Sequence, residues 1–122
     1  IISLSTRQRR SEIVGFLKEI NIKSDMPTVS EAEKRLEAAI AAGRKLGAGA
    51  VKIIHGYGST GKGGKIRTAV RKKASELGKT VIYGEDFSIF SESTRQAFKL
   101  CPELRNDDDL DRHNNGITII IL

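Results

Sequence analysis

Short β-rich runs alternate with longer segments of helical periodicity along this chain, and this alternation limits the fold more than any other feature. The runs predict strands because they are short, rich in β-branched residues or alternating in polarity, and bounded by turn residues. These strands are predicted at residues 18–23, 51–55, 80–83 and 117–122, of which the last reads ITIIIL and is apolar enough to be buried. Strand–helix–strand units place their strands parallel through right-handed crossovers, so the pattern predicts an α/β protein.

Two amphipathic helices are predicted between these strands. The first follows a capping box formed by Thr28 and Glu31, and its apolar residues recur at helical spacing as far as Leu46. The second carries an apolar stripe from Ile66 to Leu77. The other predicted elements are a third helix at residues 91–101, a loop at 102–116 and a short basic helix at 5–16.

The residues that follow the parallel strands are predicted to lie together. Because the carboxyl ends of parallel strands share one edge of a sheet, and α/β proteins usually bind their ligands there, these residues should face one crevice. They are Ser24 and Asp25 after the first strand, His55 after the second, and Glu85 with Asp86 after the third.

Positive charge is concentrated in one part of the chain. Residues 52–79 carry eight basic side chains and one acidic side chain, a net charge of +7, whereas residues 80–122 have a net charge of −4. Such a local excess is typical of a surface that binds a polyanion, and a solvated lysine-rich helix face would give the same count. The length of 122 residues fits one domain, which we place at residues 18–122 after an N-terminal extension at residues 1–17.

The composition also predicts a compartment. No apolar run approaches the roughly 20 residues of a membrane span, and the start of the sequence lacks the apolar segment of a secretory signal. Cys101 is the one cysteine, which leaves neither a disulfide framework nor a cysteine-based metal site to expect. We therefore expect a cytoplasmic protein without a membrane partner.

The stretch IIHGYGSTGKGGKIR at residues 53–67 joins a predicted strand to a predicted helix through five glycines. Gly56, Gly61 and Lys62 reproduce most of a nucleotide-binding P-loop, but that motif requires Ser or Thr where Gly63 stands. The dinucleotide-binding pattern also fails, because further glycines follow before a helix can start.

The physical basis of those motifs nevertheless applies to this loop. Glycines allow backbone N–H groups to approach an anion, and a helix that starts near Gly64 directs its positive dipole end toward it. Lys62, Lys65 and Arg67 add positive charge. The loop therefore predicts phosphate binding rather than a plain turn, and contact with a nucleic-acid backbone rather than base stacking, since aromatic residues are few.

His55 has more than one interpretation. A histidine at a strand end is often a hydrogen-bonded boundary residue, and beside a phosphate loop it can also bind phosphate or act as a general acid or base on a phosphodiester. A divalent metal would require two or three of the carboxylates of Asp25, Glu85 and Asp86 to converge, which their spacing in the sequence leaves open.

Four segments together resemble one known family. The segments PTVSEAEKRLEAAI, IIHGYG, GKIRTAV and GITIIIL occur in the order found in the Smr domain, the small MutS-related domain, over residues 18–122 with residues 84–115 as an insertion. The resemblance implies a two-layer α/β sandwich with a βαβαβ core, similar to the C-terminal domain of translation initiation factor three. It also implies nucleic-acid binding and, for several members, nicking or cleavage of DNA or RNA.

The resemblance implies a set of site residues. His55, Gly56 and Gly58 should line the site, with the loop from Thr60 to Gly63 beside them. The family's first-strand motif, Leu-Asp-x-His-Gly, is replaced here by INIKSDMP, so Asn21 and Lys23 stand where Asp and His are expected. Asp25 lies a few residues after the position of the missing family Asp and can take its place. The candidate catalytic residues are therefore His55 and Asp25. The candidate nucleic-acid contacts are Gly56, Gly58, Thr60, Lys62, Gly63, Lys65, Arg67 and Arg71.

Two functions remain open at this point. One is a nucleic-acid-binding domain that nicks DNA or cleaves structured substrates in repair or recombination, with a divalent metal or without one. The other is a non-catalytic adaptor that binds structured RNA, DNA or ribosomes. Phosphate contacts do not distinguish DNA from RNA.

Overall fold

The computed structural model describes residues 15–57 and 62–122. The predicted N-terminal helix and the loop residues Gly58 and Thr60 lie outside this part of the chain. The strands are β1 (Leu17–Asn21), β2 (Ala50–Ile54), β3 (Thr80–Tyr83) and β4 (Ile117–Ile121), and the helices are α1 (Val29–Leu46), α2 (Lys62–Leu77) and α3 (Glu92–Leu100). Every strand and helix predicted within the described residues is present, with ends that coincide with the prediction or differ from it by at most four residues.

The four strands form one sheet in the order β1-β2-β4-β3. Strand β1 pairs with β2 in parallel, and β4 lies antiparallel between β2 and β3. Strands β1, β2 and β3 therefore point the same way and end at one edge, as predicted. The central place of β4 was not predicted, and it separates β2 from β3. All five residues of β4 are buried, as an apolar strand with neighbours on both sides should be.

Helices cover both faces of the sheet. Helices α1 and α2 pack on one face around Leu36, Val70 and Ile120. On the other face, Phe87, Phe98 and other apolar residues of the 84–115 segment pack against the sheet. The predicted α/β sandwich is confirmed, and the segment predicted as an insertion adds a further layer to it. Within residues 15–57 and 62–122, no helix is long and apolar enough to cross a membrane.

The predicted loop at residues 102–116 is partly ordered as a 3₁₀ helix at Pro102–Asn106. Its residue Leu104 is fully buried against the sheet. Thus a region with polar loop composition contributes to the core through Leu104, with the partly buried Leu110 packed against the same cluster.

A buried ion cluster fixes this segment to the sheet. Lys52, in the middle of β2, is 3% exposed, and its ammonium group lies 2.9 Å from a carboxylate oxygen of Asp107 and 2.5 Å from one of Asp109. Burial opposes the charge on Lys52, but hydrogen bonds to Asp109 and Asp107 outweigh burial and raise its pKa above the ordinary value. The three charges therefore stabilise one another in a place where each alone would be unfavourable.

Removing the lysine charge should destabilise the fold strongly. In Lys52→Met the two aspartates lose their cation while still packed against the sheet, so we expect the free energy of unfolding to fall by about 3–5 kcal/mol. Urea denaturation followed by circular dichroism measures this change. The matched control is Lys73→Met, which removes a partly exposed ion pair with Glu37 and should cost at most about 1 kcal/mol. Equal losses in the two variants would contradict a structural role for the Lys52 cluster.

Candidate functional site

Backbone hydrogen bonds bring the ends of β1 and β2 together with the residue that precedes β4. The amide of Ile22 donates to the carbonyl of Ile54 at 3.0 Å, which continues the pairing beyond β1. The amides of His55 and Gly56 both donate to the carbonyl of Gly116, at 3.0 and 2.9 Å. Gly56 has a φ of 84°, so the chain turns sharply there in a conformation that favours glycine. The His-Gly turn is therefore held in place from two sides.

His55 lies inside this turn and is only 2% exposed. Its Nδ1 is 3.0 Å from the carbonyl oxygen of Gly56, and its Nε2 is 2.8 Å from the hydroxyl of Thr118 in β4. The same hydroxyl accepts a hydrogen bond of 3.0 Å from Nε of Arg71. Thr118 thus connects the histidine to an arginine of α2 through one oxygen atom.

The partners fix where the protons lie. A carbonyl oxygen only accepts, so His55 Nδ1 carries a proton and donates to Gly56. Thr118 accepts from Arg71 and donates its own proton to His55 Nε2, which completes the set of hydrogen bonds for a neutral ring. Burial, followed by the nearby Arg71 charge, lowers the pKa of His55 to about 4. His55 is consequently neutral at physiological pH.

Arg71 continues the network toward the edge of the sheet. Its Nη1 and Nη2 atoms form a two-pronged contact with the Glu85 carboxylate at 2.9 and 2.7 Å, and Nη2 also donates to the carbonyl of Ile117. The Arg71 hydrogen bond is the main cause that lowers the pKa of Glu85 below its ordinary value. The guanidinium lies 4.1 Å from the centre of the Tyr83 ring. Arg71 is 8% exposed, so its charge is compensated inside the protein by Glu85 rather than presented to solvent.

The surface of α2 carries basic side chains, one of which contacts the turn. Lys65 and Lys72 are exposed and lie seven residues apart, which places them on the same side of the helix. Arg67 is partly exposed and donates from Nη1 to the carbonyl of Tyr57 at 3.0 Å. Lys23 is exposed as well, and its Cδ lies 3.5 Å from the position that a Cβ on Gly56 would take. Positive charge therefore borders the His-Gly turn from β1 and from α2.

The predicted site residues divide into three groups. His55 and Gly56 lie together at the turn, with Lys65 and Arg67 on the adjoining helix. Arg71 is turned inward, a geometry that does not favour the predicted phosphate contact. Gly63 lies in the first turn of α2, and for Lys62 only the backbone is described.

The predicted carboxylates do not form one cluster. Asp25 lies in an exposed turn with a φ of 65°, and among the described residues its side chain has no hydrogen-bonding partner. Glu85 is paired with Arg71. Within residues 15–57 and 62–122, no three His, Cys, Asp or Glu side chains lie close enough to hold a metal ion.

Sequence reasoning missed Thr118, the residue that joins the network. It is fully buried and polar in a strand of isoleucines. A single hydroxyl within ITIIIL was the signal, because a buried polar side chain in an apolar strand requires a hydrogen-bonding partner.

Comparison with known proteins gives one match. The family model of the Smr domain matches residues 25–84, which extend from the turn after β1 through α1, β2 and α2 to the end of β3. The matched residues include the whole His-Gly turn and the basic helix. No curated protein and no solved structure matches the chain.

The buried, neutral state of His55 should make the protein less stable in mild acid. The unfolded chain takes up a proton near the ordinary pKa of 6.5, whereas the folded protein does so only near pH 4. This contribution to stability is therefore complete above about pH 6.5 and is lost as the pH falls toward 4. Between pH 7 and pH 5 the loss should be about 2 kcal/mol.

Urea denaturation of the wild type and of His55→Gln at both pH values isolates this term, because the other titrating groups are common to the two proteins. The variant should be less stable at pH 7 but should lose about 2 kcal/mol less on acidification. The same loss in both proteins would show that His55 is not the responsible group.

Proposed function

Because residues 25–84 of this chain match the Smr domain family, we propose that the protein binds nucleic acid through the phosphate backbone, along the exposed side of α2 and across the His-Gly turn. Smr domains as a family bind nucleic acids. The observation that carries the proposal for this chain is the basic surface of α2, where Lys65 and Lys72 are exposed on one side and Arg67 donates to the carbonyl of Tyr57, next to Gly56. Phosphate contacts of this kind supply most of the affinity of nucleic-acid binding without reading the bases.

The start of α2 supports the same assignment. The first turn of this helix contains no acidic residue, so its positive dipole end is not neutralised from within the helix. Lys65 and Arg67 belong to the first two turns, and because the first N–H groups of a helix have no partner within the helix, an anion at this end would meet them together with positive side chains.

The ion pair of Arg71 with Glu85 supports binding in a different way. Without Arg71, the Glu85 carboxylate would add negative charge next to the turn. The two-pronged contact neutralises it, which leaves the surface near Gly56 positive overall. We assign Arg71 to the support of this surface rather than to direct contact with phosphate.

For the chemistry of the site, we propose an adaptor that binds without cutting. A general acid or base must reach the reacting group within hydrogen-bonding distance, and His55 is buried with both ring nitrogens occupied. Asp25 is exposed, and no group within residues 15–57 and 62–122 forms a hydrogen bond to its carboxylate that would orient it. The replacement of the first-strand Asp and His by Asn21 and Lys23 supports the same proposal.

Removal of a positive charge from α2 should lower the affinity for nucleic acid. It should also make that affinity less dependent on salt. Lys65→Ala and Lys72→Ala should each lower affinity for DNA and RNA alike, and should reduce the slope of log affinity against log salt by about one. Fluorescence anisotropy with labelled oligonucleotides at several salt concentrations measures both effects. Lys99→Ala removes an exposed charge from α3 on the other face of the sheet and should leave affinity and slope unchanged. A slope that is the same in all four proteins would overturn the proposed surface.

Cleavage is tested separately from binding. The protein is incubated with supercoiled plasmid, branched DNA and single-stranded RNA, with Mg²⁺ or with EDTA, beside His55→Ala, Asp25→Asn and Lys62→Ala. We expect binding without cleavage by any of these proteins. If the wild type cleaves and Asp25→Asn does not, the adaptor proposal is wrong. The protein would then be a nicking endonuclease with a carboxylate-dependent mechanism.

A further inference from the structure

Two exposed aromatic side chains lie at the outer edge of β3, and one of them, Tyr83, also contacts the basic helix α2. Phe90 is 85% exposed and Tyr83 is 37% exposed, and both line a hollow of about 510 Å³ along the outer edge of β3. A second hollow of about 420 Å³ is lined by Arg67, Lys72 and the same Tyr83. Tyr83 therefore borders both a basic hollow on the α2 side and an aromatic hollow beside the turn after β3, and we refer to these two neighbouring hollows together as the groove.

The aromatic side of this groove is firmly held. The amide of Phe90 donates to the hydroxyl of Ser88, and the amide of Ile89 donates to the Asp111 carboxylate at 3.1 Å. Arg95 of α3 donates to the carbonyl of Ile89 at 2.9 Å. Phe90 thus projects from a turn that is fixed on both sides, so the backbone that carries its exposed ring does not require further ordering before the ring binds a ligand.

Tyr83 presents its ring in a defined orientation for the same reason. The Arg71 guanidinium lies 4.1 Å from the centre of the ring, and Arg71 is itself held by Glu85 and Thr118. A guanidinium against one side of a tyrosine leaves the other side for stacking. The hydrogen-bond network that fixes His55 therefore also orients an exposed aromatic ring.

We propose that this groove binds single-stranded nucleic acid, with the phosphate backbone along Arg67 and Lys72 and with bases stacked on Tyr83 and Phe90. This inference rests on the proposed nucleic-acid binding and adds a preference for unpaired strands. A basic track beside aromatic rings is the arrangement that such strands require, because bases that are already paired and stacked in a duplex cannot reach the rings. The carboxylate of Asp86 also lines the aromatic hollow, which favours bases rather than phosphates on that side.

If the groove binds unpaired strands, the protein should have a higher affinity for single strands than for duplexes. Anisotropy is measured with a labelled oligothymidine of about 12 nucleotides and with a duplex of the same length. We expect Phe90→Ala and Tyr83→Ala each to weaken single-strand binding about tenfold and duplex binding less than twofold, since stacking contributes about 1–3 kcal/mol per base. Tyr83→Phe keeps the ring and should bind as the wild type. Leu100→Ala, which shortens another exposed apolar side chain, is the matched control.

Two further readouts separate stacking from charge and from misfolding. The chain contains two tyrosines and no tryptophan, so in Tyr57→Phe the fluorescence comes from Tyr83 alone and should be quenched as the oligonucleotide saturates the protein. The salt slope should be unchanged in Phe90→Ala, whereas it falls in Lys72→Ala, because stacking releases no counterions. Because Phe90 is almost fully exposed, Phe90→Ala should leave the unfolding midpoint unchanged. This holds even if Tyr83→Ala lowers the midpoint.

The outcomes distinguish this inference from the proposed function. Equal binding of single strands and duplexes, unaffected by Phe90→Ala and Tyr83→Ala, would overturn the groove while leaving phosphate binding intact. Absence of binding to either ligand would overturn both. A groove that serves a peptide of a protein partner would leave both nucleic-acid affinities unchanged in the two variants, which also contradicts the proposal.

Discussion

The pairing of β4 with both β2 and β3 is the interaction on which the rest of this structure depends. Strands β2 and β3 follow each other in the same direction along the chain but share no hydrogen bonds, so the antiparallel strand between them closes the sheet. All five of its residues are buried, and its side chains enter the cores on both faces. The last strand of the fold thus joins the α1–α2 layer to the layer formed by residues 84–115.

The site inherits its geometry from that strand. Thr118 lies in β4, and its hydroxyl receives a hydrogen bond from Arg71 and gives one to His55. The residue before β4, Gly116, accepts the two amides of the His-Gly turn. These contacts join His55 after β2, Arg71 of α2 and Glu85 after β3 into one rigid unit. The basic surface and the aromatic groove both rest on this unit.

Much of this could be predicted from the sequence because the signals are local. The Thr28 capping box and the apolar periodicity of α1 determine that helix with little help from the rest of the chain. The position of β4 could not be predicted in the same way, since strand order depends on pairings between residues that are far apart in sequence. The inward direction of Arg71 could not be predicted for a related reason. Its spacing places it beside the apolar stripe of α2, and only the position of Thr118 and Glu85 directs its long side chain inward.

The Lys52 cluster has a consequence for how the protein comes apart. If the 84–115 segment lifted from the sheet while the rest stayed folded, the ammonium of Lys52 would be left on an apolar face without Asp107 and Asp109. That partly open form would lose the core around Phe98 at the same time. Loss of this core together with the ion cluster makes the partly open form unfavourable, so we expect the two layers to open as one cooperative unit. Amide hydrogens in both layers should then show the same protection.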